Sequence, residues 1–170
     1  MTRPPGRVVE FGDDPSAVLE AMATVRSAGK GWVNVQPVVD PEDEPPRPGL
    51  LAIFGGSPHR VPLATWLPSP VANRSGARTT VGILHATGRR LAARLAEAQV
   101  GVPDGWRVTQ DHLRRGLVVE VAAGAGDAEV LSWIVAVLRN VTMVRSSGTF
   151  RALVYGPASS DAPPGVSRPG

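Results

Sequence analysis

Apolar positions recur along this chain with two periods. Residues 32–38 alternate, with Val33 and Val35 on one face and Trp32, Asn34 and Gln36 on the other. Period two is the mark of a strand covered on one side. Residues 60–66 alternate in the same way, 7–11 is a short strand candidate, and 50–54 is a continuous apolar run. Gly55-Gly56-Ser57-Pro58-His59, between the last two strand candidates, suits a hairpin. Between the first and second strands, Val18, Leu19, Met22 and Val25 fall at helical spacing. Asp14 is the expected cap of that helix, Pro15 suits its first turn, and Gly29 stops it. The first half therefore reads β-α-β-β-β.

The second half begins with a strand at 79–84 and a helix from Thr87, as its cap, through Val100, with Leu91, Leu95 and Ala98 on one face. Strands at 106–110 and 117–121 are joined by a tight polar connection. Asp127 is the expected cap of an apolar helix carrying Val130, Leu131, Ile134, Val135 and Leu138, and residues 150–155 form a last strand. The order βαββαβ over about 79–155 is that of the split-βαβ, ferredoxin-like arrangement. An α+β protein is expected, its second half ferredoxin-like and its N-terminal βαβββ extension packing on or extending the same sheet. Val8-Val9-Glu10 and Val118-Val119-Glu120, each followed by a helix and a strand, are a faint internal echo.

Composition narrows this picture. The 170 residues fit one domain or two small ones, and 42% hydrophobic residues suffice for a sizeable core. With 19 Gly and 17 Pro the chain favours short elements and many turns. Residues 1–6 and 157–170, rich in Pro, Gly and Ser, are expected to be flexible tails. Residues 68–78 are expected to be a loop between an N-terminal half at 7–67 and a ferredoxin-like half at 79–156, and the acidic, proline-rich stretch 40–49 a second loop. The absence of cysteine excludes disulfides, thiolate catalysis and cysteine-ligated metal clusters. The longest apolar stretch, 130–138, is broken by Ser132 and far short of the roughly 20 residues that span a bilayer. The N-terminus has no apolar run of signal-peptide length. A cytoplasmic protein is the expectation, with no membrane partner.

Charge matters here as a distribution rather than as a total. Lys30 is the one lysine beside 17 arginines. Ala, Gly, Pro and Val are abundant too, so a GC-rich coding habit explains the arginine, and a net charge of +3 is modest. Residues 1–44 are net acidic and 97–170 balanced, whereas 45–96 hold seven arginines and no acid.

A ferredoxin-like unit would bring three connections to one edge of its sheet. These are the turn containing His85, Thr87, Gly88, Arg89 and Arg90, the turn containing His112, Arg114 and Arg115, and the approach to the last strand at Arg145 and Ser146. Free backbone N–H groups at the helix N-terminus and several guanidinium forks would suit a small anionic ligand. The plain alternative is that these are solvated arginines on ordinary polar turns. Ligand-binding regulatory domains of this topology also place ligand near the first strand–helix turn, where Thr87-Gly88 falls.

Three other readings stand beside it. Arg115-Gly116-Leu117-Val118-Val119-Glu120-Val121 starts like the central signature of the RNA-recognition fold, which shares this strand order. The stacking positions hold Leu117, Val119 and Val121, so nucleic acid would be bound through its backbone and in a salt-sensitive way. Trp133 and Val137 widen the stripe of the last helix, and Trp32 and Trp66 sit on polar or mixed strand faces. They are either buried between the two halves or form a patch for a homodimer or protein partner. Catalysis has the least support. His59, His85 and His112 lack metal-ligand spacing, His85 and His112 would stand about 10 Å apart, and no catalytic or cofactor fingerprint occurs. Asp111 beside His112 is the one acid–base candidate. No cofactor and no metal are expected.

Overall fold

The computed structural model describes residues 6–42, 61–69 and 78–156. The strand expected at 50–54, the hairpin loop at 55–59, the tail at 157–170 and most of 1–6 and of 68–78 lie outside the described residues. The elements are β1 (Arg7–Phe11), α1 (Ser16–Ala28), β2 (Trp32–Val39), β3 (Leu63–Leu67), β4 (Thr80–Leu84), α2 (Leu91–Glu97), β5 (Arg107–His112), β6 (Gly116–Glu120), α3 (Asp127–Val141) and β7 (Ser146–Tyr155).

All seven strands belong to one sheet in the order β1-β7-β2-β3-β4-β6-β5, and every neighbouring pair is antiparallel. Period two then sorts the side chains. Val9, Phe11, Val33, Val35, Ala64, Trp66, Val81, Ile83, Leu117, Val119, Phe150, Ala152 and Val154 are buried in one cluster with the apolar stripes of the three helices. Helix α3 packs on α1, β2 and β3, whereas the described packing of α2 is against β5. The other face carries Val8, Leu67 and Thr65 and a stacked Trp32–Tyr155 pair with ring centroids 4.8 Å apart. No described element covers it. The protein is thus an α+β, two-layer structure with helices on one side of an antiparallel sheet.

The strand order departs from the expected ferredoxin-like sheet at one place. Strands β4 and β5, linked through α2, run parallel with β6 between them, which is a split βαβ unit. Strand β7 does not then return to the open side of β4. It pairs with β1 and β2 instead, and β2 and β3 stand between it and β4. The N-terminal extension therefore enters the middle of the sheet and interleaves with the second half. Strands β1 and β2 are themselves a parallel pair split by β7. The echo of Val8-Val9-Glu10 in Val118-Val119-Glu120 has no structural counterpart, since β6 and β7 have three strands between them and β1 and β2 only one.

The caps of α1 and α3 differ from expectation. Asp14 stands one residue before the N-cap Pro15 and accepts the Ser16 backbone N–H at 3.0 Å. Asp127 is the first residue of α3, after the N-cap Gly126, and its carboxylate bonds the Arg26 guanidinium of α1. That ion pair joins the two long helices, and the Arg26 guanidinium also lies over the Trp66 ring. Trp66 and Trp133 are both buried, the latter donating its indole N–H to the Gly101 carbonyl at 3.0 Å. Of the tryptophans considered for an exposed patch, only Trp32 lies on the uncovered face.

Candidate functional site

The strand β4 ends at Leu84, and the next residue inward by alternation is His85, 5% exposed. Its Nδ1 accepts the Thr87 backbone N–H at 3.3 Å and lies 3.0 Å from the Thr87 hydroxyl. An Nδ1 that accepts an N–H is unprotonated, so the ring proton sits on Nε2, a buried atom with no hydrogen-bond partner among the described residues. The guanidinium of Arg94, one turn into α2, donates to both the carbonyl and the hydroxyl of Thr87. The His85 pKa lies below the usual imidazole value. Burial is the main cause, the Arg94 charge adds to it, and Asp111 opposes both.

Thr87 is therefore not the cap of α2. The turn continues through Gly88 at φ +95° and Arg90 at φ 57°, and the helix starts only at Leu91. It ends at Glu97, well short of Val100, because Gln99 is left-handed and the Val100 N–H closes on the Leu95 carbonyl at 2.8 Å. Arg90 holds a left-handed conformation without being glycine, which costs about 1–2 kcal/mol. Its position is set from β5. Asp111 accepts the Leu91 N–H at 3.1 Å and the Ala92 N–H at 3.0 Å, one on each carboxylate oxygen. Two of the free N–H groups expected at this helix terminus, those of Leu91 and Ala92, are already taken by a carboxylate of the protein itself.

The second turn is built on the same plan. His112 Nδ1 accepts the backbone N–H groups of Arg114 and Arg115 at 3.1 and 3.3 Å, and the Gln110 amide donates to the Arg115 carbonyl at 3.0 Å. Gly116 closes the hairpin at φ +78°, and a Cβ there would lie 2.1 Å from the Ile83 carbonyl oxygen. Only glycine lets β6 approach β4 this closely. The two turns face one another across an open cleft of about 640 Å³ lined by Arg89, Arg90, Asp111, His112, Leu113 and Arg114.

Two of the three expected connections thus converge. His85 and Thr87 sit behind the cleft as its support, Gly88 shapes the turn, and Arg115 belongs to the second turn without lining the cavity. Arg145 and Ser146 do not join them. They lie at the start of β7, three strand spacings or roughly 14 Å along the sheet from β4, because β2 and β3 occupy the place where β7 was expected. His85 and His112 belong to strand ends separated by β6, as expected. Asp111 and His112 each bond elsewhere, Asp111 to the Leu91 and Ala92 N–H groups and His112 Nδ1 to those of Arg114 and Arg115. Asp111, Leu113 and Arg94 are contributors that sequence reasoning left out of the site. Asp111 reaches a helix twenty residues away, for which no local signal exists.

Ion pairs divide the described arginines, and the cleft arginines fall in the unpaired group together with Arg7, Arg115, Arg139 and Arg145. Arg26, Arg78, Arg107 and Arg151 each pair with a carboxylate, and Arg94 is engaged by Thr87. Arg89, Arg90 and Arg114 have no ion-pair partner among the described residues, although Asp111 lines the same cleft with its oxygens turned to α2. Among the described residues no group of three or more His, Asp or Glu side chains is placed to hold a metal ion, and no helix is long and apolar enough to cross a membrane.

Fold and cleft together define a two-layer α+β protein with an arginine-lined surface site. Compared with protein-family models, curated proteins and solved structures, the chain matches none.

Proposed function

We propose that this protein is a non-catalytic binding module whose cleft between the β4–α2 turn and the β5–β6 hairpin takes a small anionic ligand. The observation that carries this reading is the meeting of Arg89, Arg90 and Arg114 on one cleft with no carboxylate paired to them among the described residues. Guanidinium groups left in this way offer planar pairs of donors to phosphate, sulfate or carboxylate oxygens. At the helix terminus Asp111 already takes the Leu91 and Ala92 N–H groups. Its role is to hold α2, and with it Arg90, in place. Ligand recognition rests on side chains presented by two rigid turns.

The backbone is read as a ferredoxin-like βαββαβ unit whose first and fourth strands have been parted by β2 and β3. The order β4-β6-β5 and the parallel sense of β4 and β5 support that reading. Backbone-type nucleic-acid binding is a weaker second reading, because Leu117, Val119 and Val121 are buried under the helices and offer no stacking surface.

The test is isothermal titration of the full chain with inorganic phosphate and with sulfate at pH 8 and low salt. Binding that weakens at least about tenfold in Arg89→Ala/Arg90→Ala and in Arg114→Ala, each still folded, supports the proposal. Absence of binding to either anion, or equal binding in the variants, would overturn it.

A further inference from the structure

Both turns that line the cleft are held by a histidine used in the same way. His85 Nδ1 accepts the N–H of the residue two positions on, and His112 Nδ1 accepts the N–H groups two and three positions on. Each bond exists only while that nitrogen has a lone pair. A proton on Nδ1 turns that acceptor into a donor facing the backbone N–H it had bound. We propose that His85 and His112 make the cleft acid-sensitive, each locking one arginine-bearing turn while its ring is neutral and releasing it when the ring is protonated. This deepens the anion-site reading and depends on it for its functional meaning, whereas the locks themselves are testable without any ligand.

At His85 the surroundings work against an imidazolium, which would lose the Thr87 N–H bond and keep only the Thr87 hydroxyl as an acceptor. The ring is buried, and the charges acting on it among the described residues are the Arg94 guanidinium of α2 and the Asp111 carboxylate of β5. Asp111 cannot turn to meet an imidazolium without giving up the Leu91 and Ala92 N–H groups. Arg94 is tied to both oxygens of Thr87, so a second positive charge beside it strains the same residue that loses its bond to Nδ1. The lowered pKa of His85 agrees with this geometry. Around His112 the charged groups are Asp111 beside it, Arg114 and Arg115 on its own turn, and Arg89 and Arg90 across the cleft. A proton on Nδ1 there displaces two backbone bonds. The mechanism needs no movement of the sheet, only the loosening of residues 85–90 and 112–116.

Amide hydrogen exchange on the full chain, expressed as protection relative to the unstructured rate at each pH, reads the locks directly. Between pH 8 and pH 5 the Thr87, Arg114 and Arg115 amides should lose about tenfold in protection while those of the α3 core do not. His85→Asn and His112→Asn keep a side-chain oxygen able to accept the same short-range bond and do not titrate. In each variant the protection of its own turn should become independent of pH. The exposed His112→Asn judges its turn alone if His85→Asn fails to fold. Unchanged protection in the wild type, or the same fall in the Asn variants, would overturn the proposal.

Sulfate, whose charge is constant over this range, separates gating from simple charge. Release of the turns predicts binding about tenfold weaker at pH 5 than at pH 8. Tighter binding at pH 5 would mean that the imidazolium only adds charge, and would end the gating proposal. No sulfate binding at pH 8 would count against the anion site instead, leaving the exchange result to judge the locks.

Discussion

The two ends of the helical layer are stabilised by different physics. On the α3 side, a 15-residue helix buries seven side chains and lies on α1, β2 and β3, so stability there is mostly apolar area removed from water. On the α2 side, a seven-residue helix buries only Leu91 and Leu95. Its placement depends on Asp111 at its N-terminus and on the His85–Thr87–Arg94 cluster behind it. Polar bonds are directional and switchable where packing is neither. The cleft lies at the end whose geometry can be altered by one proton or one carboxylate.

That contrast can be broken experimentally in order of effect. Ile134→Ala, at a fully buried position of α3, should cost about 2–5 kcal/mol in denaturant unfolding, and much less would show that the core tolerates collapse there. Asp111→Ala should cost about 1–2 kcal/mol by uncapping Leu91 and Ala92, with exchange increased selectively across α2. A uniform rise in exchange over α3 as well would mean that the two ends are one cooperative unit.

Acid gives a smaller and signed effect. The folded pKa of His85 lies below the ordinary imidazole value of 6.5, so in acid the unfolded chain takes up the proton more readily than the folded one. The stability held by the neutral ring is complete above pH 6.5 and is lost as pH falls from there through the lowered folded value. Chemical unfolding at a series of pH values should show this slope in the wild type and a shallower one in His85→Asn. The smallest effect on stability belongs to Arg89→Ala, an exposed residue without an ion-pair partner among the described ones. It should change unfolding free energy by less than about 0.5 kcal/mol while weakening anion binding. A larger loss would assign Arg89 a part in holding the turn.

What could be read from the sequence follows the range of the interactions involved. The alternation of Val33 and Val35 and the stripe Val130, Leu131, Ile134 and Leu138 are local signals, and the strand and helix they imply are present with those residues buried. Sheet order is not local. Nothing in the period of β7 says whether its neighbours are β1 and β2 or β4, because Phe150, Ala152 and Val154 suit the core face of either position. The site divides in the same way. His85, Arg89, Arg90, His112 and Arg114 stood out as polar residues on turns joined by one split βαβ unit, and that unit is intact. Arg145 and Ser146 depended on the place of β7 and moved away with it. Thr87 resembles a helix cap in sequence, but its hydroxyl is taken by His85 and Arg94, and Asp111 does the capping from another strand.

The position of β7 also bears on how the chain reaches this state. Strands β1 and β2 are made within the first 39 residues, yet each takes its main partner from residues 146–155. An emerging chain on the ribosome holds these two strands without the one that belongs between them until translation has passed Tyr155. Contacts of such long sequence separation slow folding and prolong exposure of unpaired strand edges. The first and last described strands also lie side by side, with the Gly6 N–H bonded to the Val154 carbonyl at 2.9 Å. A circular permutant that joins these ends and opens elsewhere would let β7 be synthesised next to β1, and should fold faster without any change in the folded architecture.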